Sequence, residues 1–168
     1  ELDNDSSRIE SLGAEVEADR GLVIELASRI TQVRTLNAAR LSERVTAELS
    51  ALAMANAAIT VTVEDRPDYS LTGKDQVSIL LQPHPGAEPR PISKGASGGE
   101  LSRVMLAIEV VLAGTDPVPT FVFDEIDAGV GGASATEVGR RLAHLAESAQ
   151  VIVVTHLAQV AAFSTNHL

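Results

Sequence analysis

Three short segments carry side chains that could work on a phosphate. Asp124 and Glu125 are adjacent carboxylates placed directly after the apolar run Thr120 to Phe123 (TFVF). Two neighbouring acids at the end of a core strand add nothing to packing. A first acid can hold a magnesium ion, often through water, while the second, pointing the other way, orients or deprotonates a water for attack on a terminal phosphate. The plainer reading is a solvated acidic loop. His156 follows a second apolar run, Val151 to Val154, and Thr155. Alone, such a histidine is a surface or capping residue. Beside the acid pair in one sheet it could contact a terminal phosphate or the attacking water. Upstream, Ser97, Gly98, Gly99 and Glu100 open the segment SGGELSR. A serine with a glutamate three residues on is a capping box, which starts an ordinary helix. The two glycines add another use, because bare backbone N–H groups at a helix start can meet a phosphate closely.

The elements that would hold these residues follow from periodicity. Thr120 to Phe123 and Val151 to Val154 read as short buried strands, and between them Val138, Leu142 and Leu145 mark one face of a helix over Ala133 to Glu147. Strand, helix and strand at that separation form a βαβ unit with a parallel sheet, whose ligands sit at the carboxyl ends of the strands. Beyond Gly98, residues Leu101, Val104, Ile108 and Val111 keep helical spacing until Gly114 and Pro117 stop it. Ile59 to Glu64 and Gln76 to Leu81 alternate as antiparallel strands, with Asp65, Pro67, Asp68 and Gly73 as turn formers, and Gln82 to Pro91 reads as an extended loop. From Leu2 to Val33 apolar residues keep a heptad beat, with Leu2, Ile9, Val16, Val23 and Ile30 at one position and Leu12, Leu26 and Val33 at the other. That seam predicts a coiled-coil arm, weakened at Asp5, Asp19, Gly13 and Gly21. After Asn37 the spacing Leu41, Val45, Leu49, Leu52 suits docking on a globular body. The expected division is therefore an arm and docking helix over 1–57 and an α/β portion over 58–168.

Composition narrows the possibilities. The chain has 168 residues, 45% of them apolar, a net charge of -10 and no cysteine. Disulfides and thiolate metal sites are thereby excluded. The acidic balance offers no basic face for a phosphate backbone, and Tyr69, Phe121, Phe123 and Phe163 are too few for a base-stacking platform. No apolar run is long enough to span a membrane. The first residues, ELDNDSSRIE, read as the middle of something longer. No G-x-x-x-x-G-K-[ST] loop occurs, and neither Lys74 nor Lys94 lies in such a frame.

The order ASGGELSR, FDEIDAGVGG, VTHLAQVA resembles the C-terminal half of the head of ABC-type ATPases of the SMC-like group, and the resemblance covers essentially the whole chain. It implies a P-loop NTPase-like ABC ATPase head, of α/β class, with a short antiparallel β segment and an N-terminal coiled-coil helix. It assigns Ser97, Gly98, Gly99 and Glu100 to the signature that faces the ATP of the opposite subunit. Asp124 becomes the Mg2+ acid, Glu125 the catalytic base and His156 the switch histidine. Its further implications are a homodimer of ATP-sandwiched heads, DNA as a partner in recombinational double-strand break repair, and a cytoplasmic, nucleoid-associated location. A phosphate loop would lie on a separate N-terminal head half, so this segment by itself is expected to hydrolyse no ATP. Gly131 stands where many SMC relatives carry an aspartate in the loop that crosses the dimer. Two other readings are a non-catalytic coiled-coil interaction module and the ATP-binding subunit of an ABC transporter. The N-terminal heptads, and Ile126 where transporter subunits usually have proline, speak against the second.

Overall fold

A computed structural model describes residues 2–115 and 118–167, with no account of the side chains of 2–5 or of residue 95. Leu2 and Asp5 of the heptad reading, and the helix-stopping role of Pro117, lie outside what is described. By contacts the chain divides into two compact units, one of Glu1–Asn37 with Thr62–Val77, the other of Ala38–Val61 with Ser78–Leu168.

Helix α1 runs unbroken over Leu2–Ala51, and Gly13 and Gly21 do not interrupt it. In the first unit its heptad residues Ile9, Leu12, Val16, Val23 and Val33 are all exposed. Strands β1 (Ala58–Ser70) and β2 (Gly73–Gln82) are neighbours in a three-stranded sheet, joined by Leu71 and Thr72. Both strands are longer than the alternation predicts. Asp65, Pro67 and Asp68 lie inside β1, and the turn falls at 71–72, where Gly73 takes a φ of +98°. Pro67 lies on β1, an edge strand, which is where a sheet ordinarily accepts a proline. Asp65 is likewise held in place by Lys74 across the hairpin, at 2.8 Å. The hairpin is anchored on α1 within this unit by Asp75. Its buried carboxylate accepts from Thr31 Oγ1 at 2.6 Å and from Arg34 at 3.0 Å.

The second unit holds the hydrophobic core. Val45, Leu49 and Leu52 of α1 are fully buried there with Leu81, Val104, Leu106, Val138 and Leu145. The expected loop after Gln82 contains a turn closed by Ala87 N–H on His84 O and a two-residue strand β3 (Arg90–Pro91), antiparallel to β2. A short helix α2 (Ile92–Gly95), not anticipated from the spacing, precedes α3 (Gly98–Leu112). Strand β4 (Thr120–Phe123), helix α4 (Gly132–Leu145) and strand β5 (Gln150–Val153) form the βαβ unit, and α5 (Ala158–Ala161) follows. The two strands pair in parallel, Phe123 opposite Val153.

One expectation is corrected. These strands are buried on one face only: Phe123 is in the core while Val122, Ile152 and Val154 are exposed. Alternation along a strand sends neighbours to opposite faces, and α3 and α4 bring buried side chains to a core shared with only one of them. A parallel sheet ordinarily has both faces covered.

Candidate functional site

The site is assembled at the carboxyl ends of β4 and β5 and the start of α3. Ser97 is the N-cap of α3 and forms a complete capping box. Its N–H donates to Glu100 Oε2 at 2.8 Å, its hydroxyl donates to the same oxygen at 2.8 Å, and Glu100 N–H returns to Ser97 Oγ at 3.4 Å. The Ser97 backbone bond, foremost, holds the Glu100 carboxyl below its ordinary range. Glu100 is thus a capping residue in this conformation, while Ser97 and Gly98 stay exposed.

The glycines also serve a contact that spacing does not reveal. A Cβ on Gly99 would lie 2.8 Å from Ala128 Cβ and 2.9 Å from the Glu125 carbonyl oxygen. A Cβ on Gly98 would collide with the Glu125 carboxylate. The helix start is therefore pressed against the segment that follows the acid pair. Two side chains of α3 fasten that segment. Ser102 Oγ donates to Asp124 O at 2.7 Å, and Arg103 Nη1 donates to Ala128 O at 2.8 Å and to Ile126 O at 3.3 Å. Arg103 is buried, which a guanidinium tolerates only against such acceptors.

Asp124 and Glu125 are both exposed. Asp124 Oδ1 accepts the Glu125 N–H at 2.9 Å. Glu125 sits in the left-handed region at φ +55°, a conformation uncommon outside glycine and concentrated at functional sites. Its backbone turn aims the carboxylate at Gly98. Among the described residues no three His, Asp or Glu side chains converge as a metal cage. Mg2+ keeps most of its waters and takes one or two carboxylates plus phosphate oxygens, a demand that an exposed acid such as Asp124 is chemically suited to meet.

His156 is exposed and lies beyond the end of β5. Its Nδ1 is 3.2 Å from Oδ2 of Asp127. The same oxygen accepts the His156 backbone N–H at 3.0 Å and the Thr155 hydroxyl. Burial pushes the Asp127 carboxyl up, but the bonds from Thr155 and His156 outweigh it and leave it below the ordinary value. Asp127, Thr155, Ser102 and Arg103 are bonded neighbours of the expected site residues that sequence reasoning missed. Two signals were available: an acid two residues after Glu125 between apolar residues, and a cation on the buried stripe of α3 one turn from Gly99. Of the expected site residues, Ser97, Gly98, Asp124, Glu125 and His156 lie on an open surface, Glu100 is half-buried and Gly99 is buried. A groove of about 700 Å3 bounded by Arg44, Glu48, Arg140, Arg141 and His144 contains none of them.

The fold is that of part of an Smc head domain. It matches the Smc head with extended coiled coil from Pyrococcus furiosus, solved bound to the C-terminal domain of ScpA, with a TM-score of 0.65 at 24% identity, over 95% of this chain and 38% of that one. The Smc head with coiled coil and joint from Pyrococcus yayanosii matches with a TM-score of 0.66 over 95% and 30% of the two chains, also at 24% identity. The protein it resembles in sequence is the DNA repair protein RecN. Identity is 56% over 167 residues with RecN of Streptomyces coelicolor, covering 92% of this chain and 29% of the relative. It is 43% over 188 residues with RecN of Mycobacterium leprae, covering all of this chain and 32% of the relative. The chain thus spans about three-tenths of the length of these curated relatives. No protein-family model matches it. No helix among the described residues is long and apolar enough to cross a membrane.

Proposed function

We propose that the chain is the half of a RecN-like ATPase head that supplies the signature, the magnesium acid, the catalytic base and the switch histidine to an ATP-hydrolysing DNA repair protein. The observation that carries this reading is the register of β4 and β5. Pairing of Phe123 with Val153 brings Asp124 and Glu125 to the same end of the sheet as Thr155 and His156, where open α/β sheets bind ligands.

In this proposal Asp124 would hold Mg2+ through water, and the ion would supply positive charge to the phosphates of ATP. Glu125 accepts the proton of the attacking water and His156 contacts the γ-phosphate. Gly98 and Gly99 offer backbone N–H groups to the ATP of a second head at the start of α3, which Ser97 and Glu100 cap, so heads would pair as a nucleotide-sandwiched homodimer. A cradle for the β-phosphate must come from a loop of the G-x-x-x-x-G-K-[ST] type, which this sequence lacks. The exposed apolar face of Val122, Ile152 and Val154 suits cover by the head half that carries it. DNA is the proposed substrate to be held during double-strand break repair, in a cytoplasmic, nucleoid-associated setting. With a net charge of -10, this chain would leave most DNA contacts to other parts of the protein.

The test is complementation. Mixing this chain with an N-terminal head half that bears the phosphate loop should produce magnesium-dependent ATP hydrolysis that neither half shows. A silent mixture of two folded halves would instead support a non-catalytic interaction module.

A further inference from the structure

The catalytic reading leaves one buried acid without a task. Asp127 is 3% exposed in its side chain, whereas the His156 side chain is 74% exposed. The carboxylate therefore lies behind the imidazole, away from solvent. Its position is fixed from both sides: Arg103 holds the carbonyls of Ile126 and Ala128, which flank it. The turn is closed further by Ala128 N–H on Glu125 O at 3.0 Å and Val130 N–H on Asp127 O at 3.1 Å. Oδ2 then faces three groups of one short segment: the Thr155 hydroxyl, the His156 N–H and His156 Nδ1. Thr155 is pinned in turn, because its oxygen accepts the Leu157 N–H at 3.1 Å.

An ionised carboxylate only accepts hydrogen bonds. At 3.2 Å from Oδ2, Nδ1 lies at ion-pair distance, where a proton on it is favoured over a lone pair facing the carboxylate. Nε2 is then the nitrogen left for anything outside, on a side chain that is itself largely exposed. The tautomer of a histidine is set by the bond its other nitrogen makes, and such an orienting partner is a functional part of the site.

We infer that Asp127 is the positioning residue of His156: it holds Nδ1 as a donor and so keeps Nε2 presented to the terminal phosphate. This rests on the proposed role of His156 at the nucleotide. Asp127 does not touch substrate. It acts through the imidazole, and the turn that places it also carries Asp124 and Glu125. One rigid segment would thereby set the metal acid, the base and the histidine together.

The experiment uses the complete protein, with four variants: His156→Gln, Asp127→Asn, the double variant, and Thr155→Val. Steady-state ATP hydrolysis, nucleotide affinity and the 15N imidazole signals of His156 are measured for each. Asp127→Asn should lower kcat roughly ten- to a hundredfold, the range for losing a carboxylate that orients a functional histidine. Nucleotide affinity should stay unchanged. The wild-type spectrum should show a protonated Nδ1, a pattern that Asp127→Asn blurs and Thr155→Val retains. The double variant should be no slower than His156→Gln, because both changes remove one interaction. Wild-type kcat and an unchanged imidazole spectrum in Asp127→Asn, with His156→Gln impaired, would overturn the positioning role alone. So would a Thr155→Val variant that reproduces the spectral change, since the carboxylate would then act only through the backbone turn. Full activity in His156→Gln would overturn the role of the histidine itself, and the inference with it.

Discussion

The two glycines of the signature are predicted to fail in different ways when each is replaced by alanine. In Gly99→Ala the new Cβ falls 2.8 Å from Ala128 Cβ and 2.9 Å from the Glu125 carbonyl, with Arg103 Nη1 at 3.2 Å. Two of these neighbours belong to a turn that Ser102 and Arg103 hold in place, so neither can yield without breaking bonds. Overpacking of this kind costs about 1–3 kcal/mol. Alanine recovers at most about 1 kcal/mol in helix propensity, less in a first turn. The net loss is about 1–2 kcal/mol, which for a chain of this size lowers the melting temperature by roughly 2–8 °C. In Gly98→Ala the obstacle is the end of the Glu125 side chain, which is exposed and can swing aside, and the next atom, Glu125 Cδ, is at an ordinary 3.6 Å. Stability should change by no more than about 0.5 kcal/mol. The carboxylate of the proposed base is nevertheless displaced, so hydrolysis in the complete protein should fall while melting does not. Circular dichroism melts of the two variants beside ATPase rates make the comparison. Equal destabilisation by both alanines, or a stabilised Gly99→Ala, would refute the packing argument.

Ser97→Arg places a long cation at the exposed signature face and should abolish the ATP-induced dimer of the complete protein on a sizing column while leaving nucleotide binding by a single head intact. Val122→Lys lies on the exposed face of β4, so it should shift stability of the chain by about 0.5 kcal/mol or less, yet prevent activity on mixing with the other head half. The Asp75 carboxyl is held below its ordinary 3.8 by the Thr31 hydroxyl first and by Arg34 as well. Its folded-state pKa is depressed, so the stability it lends is present above 3.8 and is lost as the pH falls through the lower, folded value. Acid should therefore loosen the hairpin of 62–77 from the helix of its unit, and Asp75→Asn should remove that part of the dependence in melts from about pH 5 to about pH 2.

What was legible in the sequence depended on whether the cause was local. Val45, Leu49 and Leu52, or Val138, Leu142 and Leu145, announce a buried helical face by spacing alone, and the structure buries all six. The capping box at Ser97 is a three-residue rule, and it forms in full. Turn positions were harder. Asp65, Pro67 and Asp68 carry the composition of a turn, but an edge strand accepts a proline and Lys74 neutralises Asp65 across the pair, so the strand runs through them. One-sided burial of β4 and β5 was hidden because an apolar run does not say which of its faces finds a partner. Asp127 and Arg103 escaped for a similar reason. Their bonds span about 25 residues or more of chain, Arg103 to Ala128 and Asp127 to His156, and no short-range pattern encodes such pairs.

The central claim is that Glu125 is the base of an ATPase site completed by a phosphate loop outside this chain. Steady-state ATP hydrolysis by the complete protein carrying Glu125→Gln tests it most directly. Loss of a general base should lower kcat by about a hundredfold or more, with ATP still bound and the head dimer persisting. A rate equal to wild type would contradict the assignment and leave Asp124, Glu125 and His156 as surface residues at the end of a sheet.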